Sequence, residues 1–232
     1  MTKRLFITGT DTEVGKTFFT CALIHALKRE GHSVMAFKPV AAGCELVNGE
    51  MKNDDALAII SALGGSPDYS SINPIALQTP IAPHIAAQKE GIELSVQHLT
   101  QQTKLEQADQ EFVLVEGAGG WLVPLNADET LADFARVINA EVVLVVGMKL
   151  GCINHALLTQ QSICGMGLKL AGWVANYIDP DMLAQQSNLE SLKQSLNCPL
   201  IAEIPYLSGV GAEDMTKLRA KAADYVKIAS LV

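Results

Sequence analysis

The stretch ITGTDTEVGKTFFT, residues 7–20, decides the reading of this chain. It leaves an apolar run at Leu5, Phe6 and Ile7, passes two glycines and two carboxylates, and enters apolar residues at helical spacing. A strand, a glycine-bearing loop and a helix in that order bring backbone N–H groups and a positive helix end together, which suits phosphate. The general phosphate-loop pattern is G-x-x-x-x-G-K-[ST]. Here five residues rather than four separate Gly9 from Gly15, ahead of Lys16 and Thr17. In such a loop Lys16 reaches the terminal phosphates, Thr17 offers its hydroxyl to Mg²⁺ and Gly15 lets backbone approach phosphate closely.

The 232 residues fit one large α/β domain spanning 1–232, since no Pro/Gly/Ser-rich linker or charge run divides them. Hydrophobic residues make up 49%, enough for a sizeable core, and no apolar run is long enough to span a bilayer. The apolar segment behind the basic start is too short for a signal peptide, and the five cysteines form no C-x-x-C pair. A soluble, cytoplasmic chain with reduced thiols is expected. A net charge of −8 argues against a broad nucleic-acid-binding face, so a phosphate ligand has to be held locally.

Outward from the opening stretch, strand patterns recur at Arg4–Thr8, Val34–Lys38, Phe112–Glu116, Val142–Gly147, Leu170–Asn176 and Leu200–Ile204. Helical patterns fall at Thr17–Arg29, Asp54–Leu63, Leu94–Ala108, Thr130–Asn139, Ile153–Met166, Met182–Leu196 and Glu213–Ile228. The alternation predicts an α/β fold, a mostly parallel sheet with helices on both faces. Val142 to Val146 are apolar without a break, as in a strand buried on both sides. From Ser66 to Gly91 the chain reads as a long irregular connection, of a length that often carries function, with a solvent-exposed insertion as the alternative.

The Phe112–Glu116 strand ends on an acid before Gly117-Ala118-Gly119-Gly120 and resembles a Walker B strand, which makes Glu116 a second metal ligand beside Thr17. Lys38 follows its own strand, so Lys16 and Lys38 are expected at the carboxyl ends of neighbouring strands, where ligands gather in open parallel sheets. A solvated strand-end lysine is the alternative for Lys38. Asp54 and Asp55 read first as helix caps or dipole partners and second as ligands. The five histidines show no metal spacing.

GTDTEVGKT (9–17), FKPVAAG (37–43), NDDA (53–56), VEGAGG (115–120), KLGCINHALLT (149–159) and LAGWVAN (170–176) together resemble dethiobiotin synthetase, over nearly the whole chain and in order. That family uses the longer loop spacing. The resemblance implies a homodimeric, ATP- and Mg²⁺-dependent enzyme that joins CO₂ to diaminopelargonic acid through a carbamate and a carbamic–phosphoric anhydride. It implies that Glu13, Val14, Gly15, Lys16, Thr17 and Phe18 bind ATP, with Glu116, Gly117, Ala118 and Gly119 beside it. It also moves Asp55 from cap to metal ligand with Thr17 and Glu116, leaving Asp54 a cap or bystander. By the same matching Lys38 holds the carbamate and the transferring phosphoryl group, and Thr12 lies near the substrate amines. Asn176, Pro205, Tyr206, Leu207 and, more loosely, Glu213 match adenine-side contacts. Gly151, Cys152, Ile153 and Asn154 match a helix start that receives the substrate carboxylate from the partner subunit. Ala42 departs from the pattern, because the family commonly carries a serine there.

Two other readings share the loop. A regulatory ATPase of the partitioning and iron-protein group usually adds a lysine near the first glycine, where this chain has Thr10-Asp11-Thr12. A ligase acting on corrinoid carboxylates normally carries a further glutamine-hydrolysing domain, for which 232 residues leave no room.

Overall fold

The computed structural model describes residues 2–65, 67–207 and 212–232, with side chains from 215 onward in the last stretch. In chain order the elements are β1 (Lys3–Gly9), α1 (Lys16–Arg29), β2 (Val34–Phe37), β3 (Val40–Ala42), β4 (Glu45–Val47), β5 (Glu50–Lys52), α2 (Asp54–Leu63), α3 (Tyr69–Ile72), β6 (Ile75–Leu77) and α4 (Pro83–Glu90). They continue with α5 (Val96–Thr103), β7 (Phe112–Glu116), α6 (Leu131–Val137), β8 (Glu141–Met148), α7 (Cys152–Gly165), β9 (Leu170–Tyr177), α8 (Gln185–Ser195), β10 (Leu200–Ile204) and α9 (Ala212–Ala222).

All six strand patterns enter one parallel sheet in the order β10-β9-β8-β1-β7-β2. Residues 142–148 of β8 are fully buried, as their unbroken apolar run predicts. Side-chain alternation divides the core. Leu5 and Ile7 face α1 and α2, whereas Phe6 faces the layer of α4, α5 and α6 on the other side. A third cluster packs α7 and α8 on β8 and β9 around the fully buried Trp173. Truncating a filled position such as Leu114, with no exposed surface, costs about 2–5 kcal/mol through lost transfer energy and the cavity left behind.

Four local expectations change. The stretch from 66 to 91 is not irregular throughout, since among its described residues it holds α3, β6 and α4. β6 pairs in parallel with β3 through Val40↔Ile75, a partner that no near neighbour in sequence announces. The helix patterned over 94–108 is Val96–Thr103, stopped where Lys104 turns left-handed at φ 49°. The last helix ends at Ala222 and gives way to two short 3₁₀ turns. The cap of α2 is Asn53, whose side chain accepts the Asp55 N–H at 3.0 Å, so neither Asp54 nor Asp55 fills that position.

Sheet order also corrects the placement of the two lysines. β1 and β2 are not adjacent, because β7 runs between them and pairs with both. Ile7 is level with Glu116 and Phe37 with Val115, so the end of β7 lies between the segments that carry Lys16 and Lys38. Among the described residues no helix is long and apolar enough to cross a membrane.

Candidate active site

The loop after β1 is anchored where Thr10 N–H donates to the Val145 carbonyl at 3.0 Å. It then takes left-handed backbone at Glu13 (φ 59°) and Gly15 (φ 88°). At Gly15 only glycine fits, since a Cβ there would lie 2.1 Å from Asn176 Nδ2. Asn176 comes from β9 and donates to the Val14 carbonyl at 2.8 Å, bracing the loop from beneath. Lys16 is 7% exposed and its Nζ donates to the Asp11 carbonyl at 3.1 Å. Burial, and then the charge of Lys38, bring its ammonium down to a pKa of about 8.

Glu116 is the hub of the site. Its Oε1 accepts from Thr17 Oγ1 at 2.6 Å and from Lys38 Nζ at 2.7 Å, and Thr20 Oγ1 lies 2.7 Å from its Oε2. Lys38 Nζ also lies 3.0 Å from Asp55 Oδ2 and donates to the Gly117 carbonyl at 3.0 Å. Burial alone would lower the Lys38 ammonium, but Glu116 and Asp55 more than offset it and raise its pKa. Burial likewise pushes Asp55 up, and the Lys38 charge with bonds from Lys38 and Thr17 holds its carboxyl below the usual range. Two lysines and two carboxylates thus meet within one charge-balanced cluster. The hydroxyl of Thr17 and the carboxylates of Asp55 and Glu116 form an all-oxygen donor set that fits Mg²⁺. Sequence reasoning missed Thr20; its signal is the three-residue spacing from Thr17, which puts both hydroxyls on one face of α1.

A cavity of about 800 Å³ opens beside this cluster. Thr12, Glu13, Gly15, Lys16, Thr17, Phe18, Lys38, Ala42, Asp55, Ala118 and Gly119 all line it. Val14 and Glu116 are fully buried beneath, and Gly117 contributes its carbonyl to Lys38. Asn53 also lines the cavity and reaches the Ala42 carbonyl at 3.4 Å, which sets a polar amide beside the position where the hydroxyl is missing. The stretch from Pro80 to Pro83 and Leu122, Val123 and Pro124 form an apolar wall that sequence reasoning did not place.

Three groups stand apart. Gly151, Cys152, Ile153 and Asn154 start α7 and do not line this cavity, and Cys152 is 1% exposed within the α7–α8 core. Pro205 and Tyr206 border a separate cavity of about 790 Å³ with Tyr177 and Tyr225, and Leu207 is on the surface at 36% exposure. Glu213 lies outside the residues whose side chains are described.

Residues 3–214 match the family described as AAA domain. The ATP-dependent dethiobiotin synthetase BioD of Aromatoleum aromaticum is 48% identical over 204 residues, which cover 88% of this chain and 91% of that protein. The enzyme of the same name from Alteromonas mediterranea is 48% identical over 221 residues, covering 90% and 95%. The chain belongs to the dethiobiotin synthetase family. Solved structures of low sequence identity share the fold. A ParA family ATPase from Chlorobium tepidum superposes with a TM-score of 0.55 at 13% identity, covering 98% of this chain and 93% of that one. The septum site-determining protein MinD of Pyrococcus horikoshii, complexed with Mg-ADP, gives 0.55 at 16% identity, covering 98% and 91%. These two share the architecture, while the sequence ties run to the dethiobiotin synthetases.

Proposed function

We propose that this dethiobiotin synthetase family member makes dethiobiotin from diaminopelargonic acid, CO₂ and ATP, releasing ADP and phosphate. The observation that carries the reading is the meeting of Lys16, Lys38, Thr17, Asp55 and Glu116 at one edge of the sheet beside an 800 Å³ cavity. Glu13 to Phe18 receive the ATP phosphates, with Lys16 as their fixed cation, and residues 116–119 adjoin the nucleotide. A divalent cation held by Thr17, Asp55 and Glu116 would neutralise charge on the phosphate oxygens.

In this reading a substrate amine captures CO₂ as a carbamate, whose oxygen attacks the γ-phosphoryl group. The second amine then closes the ring on the mixed anhydride and expels phosphate. Lys38 holds the carbamate and the phosphoryl group in transfer, where a preorganised cation acts on developing charge. Thr12 and Asn53 lie where the amines and the carbamate can be oriented, and the wall of Pro80–Pro83 and Leu122–Pro124 suits an aliphatic chain. Asn176, Pro205, Tyr206 and Leu207 are assigned to the adenine side.

Residues 1–232 act as one cytoplasmic domain, and two copies complete the site. The start of α7 supports this arrangement. Its N-cap Gly151 provides no side-chain bond, and Leu150 beside it is 92% exposed. Such an end offers backbone N–H groups to a carboxylate of a neighbouring copy. Purified protein given bicarbonate, Mg²⁺ and ATP is expected to release ADP only when diaminopelargonic acid is added, with dethiobiotin appearing in step. ADP release that ignores diaminopelargonic acid contradicts the proposal and favours a regulatory ATPase.

A further inference from the structure

A loop that receives phosphates gains nothing from its own carboxylates, yet Asp11 and Glu13 both stand in this one. The charge of Asp11 is matched. Its Oδ1 accepts the Thr12 N–H at 2.8 Å, and its Oδ2 lies 3.2 Å from Lys149 Nζ. The Thr12 bond first, and Lys149 next, hold its carboxyl below the usual carboxylate range. The carbonyl of the same residue accepts Lys16 Nζ. Lys149 is the first residue after β8, the strand whose Val145 pairs with Gly9 at the end of β1, so the contact spans the root of the loop.

We infer that Lys149 is a positioning residue for ATP: its ammonium cancels the Asp11 carboxylate, so that the phosphates meet a loop cleared of that negative charge. The inference rests on residues 9–17 being the phosphate cradle. Among the described residues lining the large cavity neither Asp11 nor Lys149 occurs, so the pair acts through the loop. The pair is also half open to solvent, with side-chain exposures of 46% and 37%. Ion pairs of that kind add little to stability. Its value therefore lies in what it removes from the path of an anion.

The experiment is a double-mutant cycle of Lys149→Met and Asp11→Asn. Calorimetry measures ADP binding in Mg²⁺ buffer, and thermal unfolding is followed alongside. Asparagine keeps the acceptor for Thr12 N–H, so only charge is altered. Lys149→Met is expected to weaken ADP about three- to fivefold, the scale of an exposed ion pair, and less so in high salt. Adding Asp11→Asn to Lys149→Met is expected to restore binding to within about twofold of the parent, with the melting temperature unchanged throughout. A double variant as weak as Lys149→Met means the ammonium acts on the nucleotide directly, and it overturns the inference. Full ADP affinity in Lys149→Met overturns it as well. Lys16→Ala serves as the control. If it binds ADP normally, the cradle reading itself fails; if it binds weakly while Lys149→Met binds normally, only the present inference falls.

Discussion

Lys38 Nζ lies 2.7 Å from Glu116 Oε1, and both side chains are buried, at 4% and 0% exposure. The two residues are 78 positions apart and meet because β2 and β7 are paired and end together. A buried ion pair is costly to assemble and more costly to halve. Here Thr17 and Thr20 supply further donors to the carboxylate, and Gly117 a further acceptor to the ammonium.

If Lys38 acts on the phosphoryl group in transfer, Lys38→Met should lower kcat by about 10²- to 10³-fold and leave ATP binding nearly intact. If Lys16 serves the bound nucleotide before and during reaction, Lys16→Met should weaken ATP binding and turnover together. Steady-state kinetics with direct nucleotide titration separates the two cases. A near-normal kcat in Lys38→Met removes Lys38 from the chemistry.

The same pair bears on metal loading. Lys38 already occupies oxygens of Asp55 and Glu116, so its ammonium would compete with a divalent cation bound there. In nucleotide-free protein, Lys38→Met is therefore expected to bind Mn²⁺ more tightly, by about tenfold if about 1.4 kcal/mol of competition is removed. Glu116→Gln is expected to bind it more weakly than the parent. Electron paramagnetic resonance of free Mn²⁺ reads both. Equal affinity in Lys38→Met and parent would show that the ammonium and the metal do not share donors.

Cys44 and Cys152 lie near the cavity and the α7 start, but both are buried thiols. Burial pushes Cys44 up to about 11 and raises Cys152 as well, which leaves little thiolate near neutrality. Alkylation at pH 8 is expected to label the exposed Cys164 first. Cys44→Ser and Cys152→Ser should keep kcat while losing about 1–3 kcal/mol of stability through a buried hydroxyl. Abolished turnover in a folded Cys→Ser variant would point to covalent chemistry instead.

A site shared between subunits predicts complementation. Mixing Lys16→Ala subunits with subunits altered at Asn154 yields some heterodimers in which one site carries both defects and the other neither. After exchange, activity is expected to rise above both parents. Parental activity despite demonstrated exchange, or an active monomer at assay concentration, places the carboxylate contact within one chain.

The backbone elements that position this site were legible in the sequence wherever a local pattern was complete. Phe112–Glu116, Asp54–Leu63 and Leu200–Ile204 have the boundaries their residues suggest. The loop from Gly9 to Thr17 was legible too, since glycine, lysine and threonine at that spacing carry their own conformational and chemical meaning. The patterns at 66–91 were too short and too interrupted by proline to reveal α3, β6 and α4, whose packing comes from distant partners such as Val40. The capping role was read onto the aspartates when the preceding Asn53 holds it, because asparagine and aspartate can both fill a helix start and only geometry selects one. What the sequence alone determined was the kind and order of the strongly patterned elements and the chemistry available at their ends, because these depend on neighbours a few residues apart. Only the tertiary structure decided that β7 separates β1 from β2 and that Thr17, Thr20 and Lys38 converge on Glu116 across 78–99 positions. Strand order is chosen by how the whole set of apolar faces can be buried at once, and no local pattern encodes that choice.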